Sequence, residues 1–105
     1  MAVHRVLFSR AQLAGVQKGT ITCTLRANLV VTPGDILLAG LPTYPALARL
    51  KVTGFRRGVP FLGLTKRELQ RAGLEDPQMR AEALVALEAG PNPAVNVVHF
   101  RLMKS

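Results

Sequence analysis

Between Lys18 and Arg26 the chain reads Lys-Gly-Thr-Ile-Thr-Cys-Thr-Leu-Arg, and this alternation restricts what it can fold into. Taken two by two, Ile21, Cys23 and Leu25 fall on one face and Thr20, Thr22, Thr24 and Arg26 on the other, the pattern of a half-buried strand. Gly19 punctuates its start. Hydroxyls ending in a guanidinium are able to hold a phosphate, a carboxylate or the polar edge of a base. A solvated strand face has the same appearance, because threonine is a good strand former, and spacing alone favours that simpler reading.

The rest of the chain reads as short strands with tight turns and few helices. Val3 to Phe8 is β-branched and apolar, a first strand. Ser9 stands three residues before Gln12, a capping-box spacing, and Leu13 and Val16 share one face of the helix that ends at Gly19. Thr32-Pro33-Gly34-Asp35 has the composition of a type II turn and leads into the apolar strand Ile36–Ala39. Gly40 to Pro45, with two prolines, reads as a loop. Alternation then returns with Ala48, Leu50 and Val52 inward and Leu47, Arg49, Lys51 and Thr53 outward; Gly54 marks a bulge, and Gly58 and Pro60 end the strand. Thr65 and Glu68 have capping-box spacing with Leu64 and Leu69 as a staple, and Gly73 closes that helix. Asp76 and Pro77 open another, with Met79, Ala83, Leu84 and Leu87 on one face and Gly90 and Pro91 as its stop. The last strand, Ala94 to Met103, puts Val98, Phe100 and Leu102 opposite Val97, His99 and Arg101. These elements predict one α+β domain over residues 1–105: a small β-barrel of five or six mostly antiparallel strands with about three short helices.

Charge divides the chain. Residues 1–67 carry ten lysines and arginines against Asp35 alone, a surplus of nine; residues 68–105 carry four against five acids. A basic half predicts an anionic partner, and the outward Arg49, Lys51, Arg56 and Arg57 are candidate phosphate contacts. Tyr44 is the best placed residue for base stacking. The longest uncharged run, Ile36 to Ala48, has 13 residues and includes Gly40, Pro42 and Pro45, too short for a membrane span of about 20. One cysteine forbids an internal disulfide, and with no signal-peptide pattern the expected location is cytoplasmic. His4, His99 and Cys23 make a poor zinc set, so no metal or cofactor is expected, and Cys23 reads as a small core residue. There is no glycine-rich loop of the P-loop or dinucleotide type.

The order of elements resembles the activating-signal-cointegrator homology (ASCH) domains of the PUA-like superfamily, across nearly the whole chain. The features that carry it are Gly19 to Arg26, Pro33-Gly34-Asp35 before Ile36, Leu64-Thr65 opening a helix, Ala72-Gly73-Leu74, and the closing Val97-Val98-His99-Phe100-Arg101-Leu102. The family's signature is Gly-x-Lys-x-x-Glu-x-Arg, with threonine for glutamate in members that are small amidohydrolases. Gly19, Thr24 and Arg26 match it; the lysine position is Ile21. Those amidohydrolases also use a downstream glutamate, whose place falls at about Ala72, with Glu68 and Glu75 as the nearest acids. PUA-like barrels commonly bind RNA. The resemblance therefore implies a non-catalytic RNA- or nucleotide-binding module, with Thr24 and Arg26 at the mouth of its cleft. The alternative it implies is an amidohydrolase acting on an N-acylated nucleoside such as N4-acetylcytidine, with Thr24 as nucleophile assisted by Lys18 or Glu68. Protein–protein interaction through the basic surface is a third reading.

Overall fold

A computed structural model describes residues 1–87 and 92–103. Its elements are β1 (Val3–Leu7), α1 (Arg10–Lys18), β2 (Cys23–Arg26), β3 (Ile36–Leu41), β4 (Tyr44–Pro60), a 3-10 turn (Phe61–Gly63), α2 (Lys66–Arg71), α3 (Pro77–Leu87) and β5 (Ala94–Leu102). The strands form one sheet in the order β1-β3-β4-β5-β2. Only β1 and β3 run parallel; the other pairs are antiparallel.

Local chemistry sets most boundaries. The Ser9 hydroxyl accepts from the Gln12 N–H at 3.2 Å, and Gly19 ends α1 at φ +80°, a conformation costly for residues with a Cβ. Thr65 and Glu68 close a full capping box at 3.1 Å on each arm. The Asp76 carboxylate accepts from the Gln78 N–H at 2.8 Å at the start of α3. The expected stop of that helix, Gly90 and Pro91, lies outside the described residues. In the Thr32–Asp35 turn, Asp35 accepts from the N–H groups of Ala2 and Thr32, each at 3.0 Å, and from His4 Nε2 at 3.1 Å. These bonds, chiefly those from the two backbone N–H groups, hold its carboxyl down at about 2.

Three sequence expectations change. The strand expected from Thr20 starts only at Cys23, because the N–H groups of Thr20 and Ile21 and the Thr20 hydroxyl all turn back to the Gly15 carbonyl. The loop expected over Gly40 to Pro45 shrinks to Pro42-Thr43, with Leu41 paired to Tyr44 and a register shift between Ala39 and Leu41 absorbing the irregularity. The sheet also stays open. β1 and β2 are its two edges, with no ladder between them.

Each sheet face carries an apolar cluster, so two cores form. One gathers Val6, Phe8, Leu13, Val16, Leu37, Leu50, Val52, Val98 and Phe100 under α1. The other gathers Cys23, Val59, Phe61, Leu64, Ala72, Leu74, Val95 and Val97 under α2 and α3. β5 feeds both through its two faces, and its run from Val95 to Val98 is accordingly buried on each side. Buried Asn96 links distant segments: its Oδ1 accepts from the Gly58 N–H at 3.1 Å and its Nδ2 donates to the Leu29 carbonyl at 2.9 Å.

Candidate functional site

The open seam between β1 and β2 holds a cavity of about 740 Å3. Its lining includes Arg5 and Phe8 from the first edge, Ile21, Thr24 and Arg26 from the second, and Ala72 beside α2. Parity along β2 puts Thr24 and Arg26 on one face, and the Arg26 Nε donates to the Thr24 hydroxyl at 3.1 Å. The same guanidinium donates from Nη2 to the Leu7 carbonyl at 2.8 Å and lies 4.9 Å over the Phe8 ring. Arg26 therefore ties one sheet edge to the other where no ladder does. Thr24 is 7% exposed, so its face is not the solvated one that threonine spacing favoured.

Ile21 is fixed by two glycines. A Cβ at Gly15 would stand 2.6 Å from its Cδ1, and one at Gly73 would stand 2.9 Å away. The isoleucine thus fills a notch between the end of α1 and the end of α2. The three positions at which the resemblance looks for lysine, threonine and glutamate, namely Ile21, Thr24 and Ala72, all line this one cavity. Two of the three are apolar here. No carboxylate, imidazole or ammonium group stands among the described residues of the lining. Its ionisable members are Arg5, Arg26 and Cys23, and burial, with Glu68 adding to it, pushes the Cys23 thiol up to about 12.

The other candidates lie elsewhere. Lys18 is exposed at the end of α1 and does not line the seam cavity. Glu68 is buried and bonded to Arg56 Nη1 at 2.7 Å, in a second cavity of about 400 Å3 lined by Thr53, Gly54, Thr65, Arg67, Glu68, Arg71 and His99. Burial raises the Glu68 carboxyl, but the Thr65 N–H and Arg56 outweigh it and hold the group below its usual range. His99 Nε2 stands 3.9 Å from Glu68 Oε2, and burial keeps this imidazole below its usual value despite that carboxylate. Arg57 is exposed at the register shift of β4 against β5 between Arg56 and Val59. Among the described residues no group of three or more His, Cys, Asp or Glu comes together, and no helix is long and apolar enough to cross a membrane.

Arg49 and Lys51 face away from the first core. Ladder register sets Arg5 beside Leu38, Leu38 beside Arg49, and Lys51 beside Arg101. Four cations from three strands thus share the outer sheet face, and Arg5 belongs both to this row and to the seam cavity. Neither Arg5 nor Arg101 is among the phosphate contacts expected from the sequence, although Arg101 is expected to share a strand face with Val97 and His99. The signal for them was parity, since Val3, Arg5 and Leu7 alternate with inward His4 and Val6.

Comparison with known proteins gives the fold. No family model matches the sequence, and neither does any curated protein sequence. Solved structures do. A crystal structure of an ASCH domain from Lactobacillus crispatus JV V101 aligns with a TM-score of 0.76 at 9% identity, covering 96% of this chain and 79% of that one. The hypothetical protein PH0355 aligns at 0.72 with 13% identity over 98% of this chain and all of its own. Protein EF3133 from Enterococcus faecalis V583 aligns at 0.67 with 16% identity over 97% of this chain and 79% of its own. The chain shares the α+β fold of that ASCH domain, as the order of its motifs implied.

Proposed function

We propose that this chain, as a single domain over residues 1–105, is a cytoplasmic RNA- or nucleotide-binding module that does not hydrolyse what it holds. The observation that carries the reading is the composition of the seam cavity. Thr24 keeps its hydroxyl there, but Ile21 and Ala72 stand where the resemblance looks for the lysine and the glutamate. A threonine hydroxyl without a neighbouring base is a poor nucleophile, and here it already accepts a hydrogen bond from Arg26. What the cavity does offer is binding chemistry: a hydroxyl and a guanidinium over apolar walls.

Phosphates are the natural partners of the outer cations. Arg49 and Lys51 stand in one row with Arg5 and Arg101, and Arg5 leads from that row to the cavity mouth. Arg56, half exposed beyond its bond to Glu68, and exposed Arg57 extend the positive surface along β4. A strand of RNA lying across this face would release counterions at each neutralised phosphate.

Titration of a fluorescent single-stranded RNA at several salt concentrations tests the reading. Affinity should fall steeply as salt rises, and Arg49→Ala should reduce the log–log slope by about one. A slope near zero overturns nucleic-acid binding in favour of a protein partner. Release of free amine or acetate from N4-acetylcytidine by the wild type, abolished in Thr24→Ala, would establish the hydrolase instead.

A further inference from the structure

Arg67 and Arg71 are four residues apart on α2 and so emerge on the same side of that helix. Both line the second cavity with Thr53, Thr65 and His99. That cavity shares no lining residue with the seam cavity. Its one carboxylate is already matched: Glu68 Oε1 accepts from the Thr65 N–H at 3.1 Å, and Oε2 accepts from Arg56 at 2.7 Å. Among the described residues no acid lies within salt-bridge distance of Arg67 or Arg71. Two guanidiniums, two hydroxyls, one imidazole and the Arg56-paired Glu68 carboxylate thus surround a space of about 400 Å3, and the two arginines outweigh the one acid.

We infer that this cavity is a phosphate site, taking one tetrahedral phosphate group between the Arg67 and Arg71 guanidiniums with the Thr53 hydroxyl and the His99 ring as further donors. Guanidinium forks match oxyanions in pairs of hydrogen bonds, and this set offers more donors than the two oxygens of a carboxylate can accept. A metal cation is disfavoured by the same surplus of positive charge. The phosphate is carried either by a free mononucleotide or by an RNA backbone. Position allows both, because His99 and Arg101 share one sheet face and Arg101 pairs with Lys51. The site stands whether or not the seam cavity binds a nucleotide.

His99 makes it measurable. The chain has two histidines, and of these His99 lines this cavity. The groups facing His99 are Glu68, whose charge raises its pKa, and Arg56 and Arg71, whose charges lower it. Imidazole NMR titrations of the full chain at constant ionic strength would compare chloride, inorganic phosphate, 5′-AMP and a short oligouridylate without terminal phosphates. Bound phosphate adds a negative charge beside the ring, so its pKa should rise by about half a unit or more. The shift should vanish in Arg67→Gln with Arg71→Gln, two exposed side chains whose loss should leave the fold intact, and weaken in Thr53→Val. It should persist in Thr24→Val. A response to inorganic phosphate and 5′-AMP assigns the site to free nucleotides, and a response to the oligouridylate assigns it to RNA backbone. A His99 that moves with none of the three, that moves equally in chloride, or that still moves in the double arginine variant overturns the assignment.

Discussion

The two cavities use arginine in opposite ways. In the seam cavity Arg26 spends its donors on the protein itself, on the Leu7 carbonyl and the Thr24 hydroxyl, and lies over Phe8. In the second cavity Arg56 is taken by Glu68, while Arg67 and Arg71 have no acidic partner among the described residues. The Thr24 hydroxyl and the Arg26 guanidinium therefore hold the seam together as well as facing its cavity. The cations that stood out least are those left free for a ligand. Burial explains the contrast, since a half-buried guanidinium must find internal partners whereas one on a helix surface is served by water until an anion arrives.

Substitutions can break this comparison or sharpen it. Arg26→Ala should have the largest effect, a loss of about 3 kcal/mol from a charged hydrogen bond, a cation–π contact and the tie between the sheet edges. Urea unfolding measures it, and a loss under about 1 kcal/mol would mean that the seam holds without the arginine. Glu68→Ala follows at about 2 kcal/mol, combining a lost capping box with a lost bond to half-exposed Arg56. Arg67→Gln and Arg71→Gln should leave the unfolding midpoint almost unchanged, as expected of surface cations without partners. Equal losses for these and for Arg26→Ala would erase the distinction.

Acid gives a smaller and graded effect. Asp35 titrates at about 2 in the folded chain against 3.8 in the open chain, so its stabilisation is complete above 3.8 and disappears as pH falls from there towards 2. Glu68, also held low, contributes in the same direction. Asp35→Asn should flatten the acid limb of a stability–pH curve while leaving RNA affinity at neutral pH unchanged. Thr24→Val comes last, at about 1 kcal/mol or less, because Arg26 keeps its bond to Leu7. A much larger loss would show that the hydroxyl holds the seam together.

Much of the fold could be read one element at a time. The caps at Ser9 and Thr65, the turn at Pro33-Gly34 and the inward Ala48, Leu50 and Val52 all follow from contacts within a few residues. The bulge at Gly54 was legible in the same way. The misreadings arose where a local signal met a distant partner. The two prolines suggested a loop over Gly40 to Pro45, but pairing with β3 carries the ladder to Tyr44. Thr20 looked like the first residue of a strand, but the Gly15 carbonyl draws it back to α1.

Of the candidate site, the sequence by itself determined that Thr24 and Arg26 share a face and that Ile21 and Ala72 bring no charge to it, because side-chain type and strand parity are local properties. Tertiary structure alone decided that these four meet in one cavity, that Glu68 lies in another, and that Arg5, Arg49, Lys51 and Arg101 form a row. Strand order β1-β3-β4-β5-β2 makes those assignments, and it depends on how two hydrophobic faces are buried at once. No spacing along the chain records that choice.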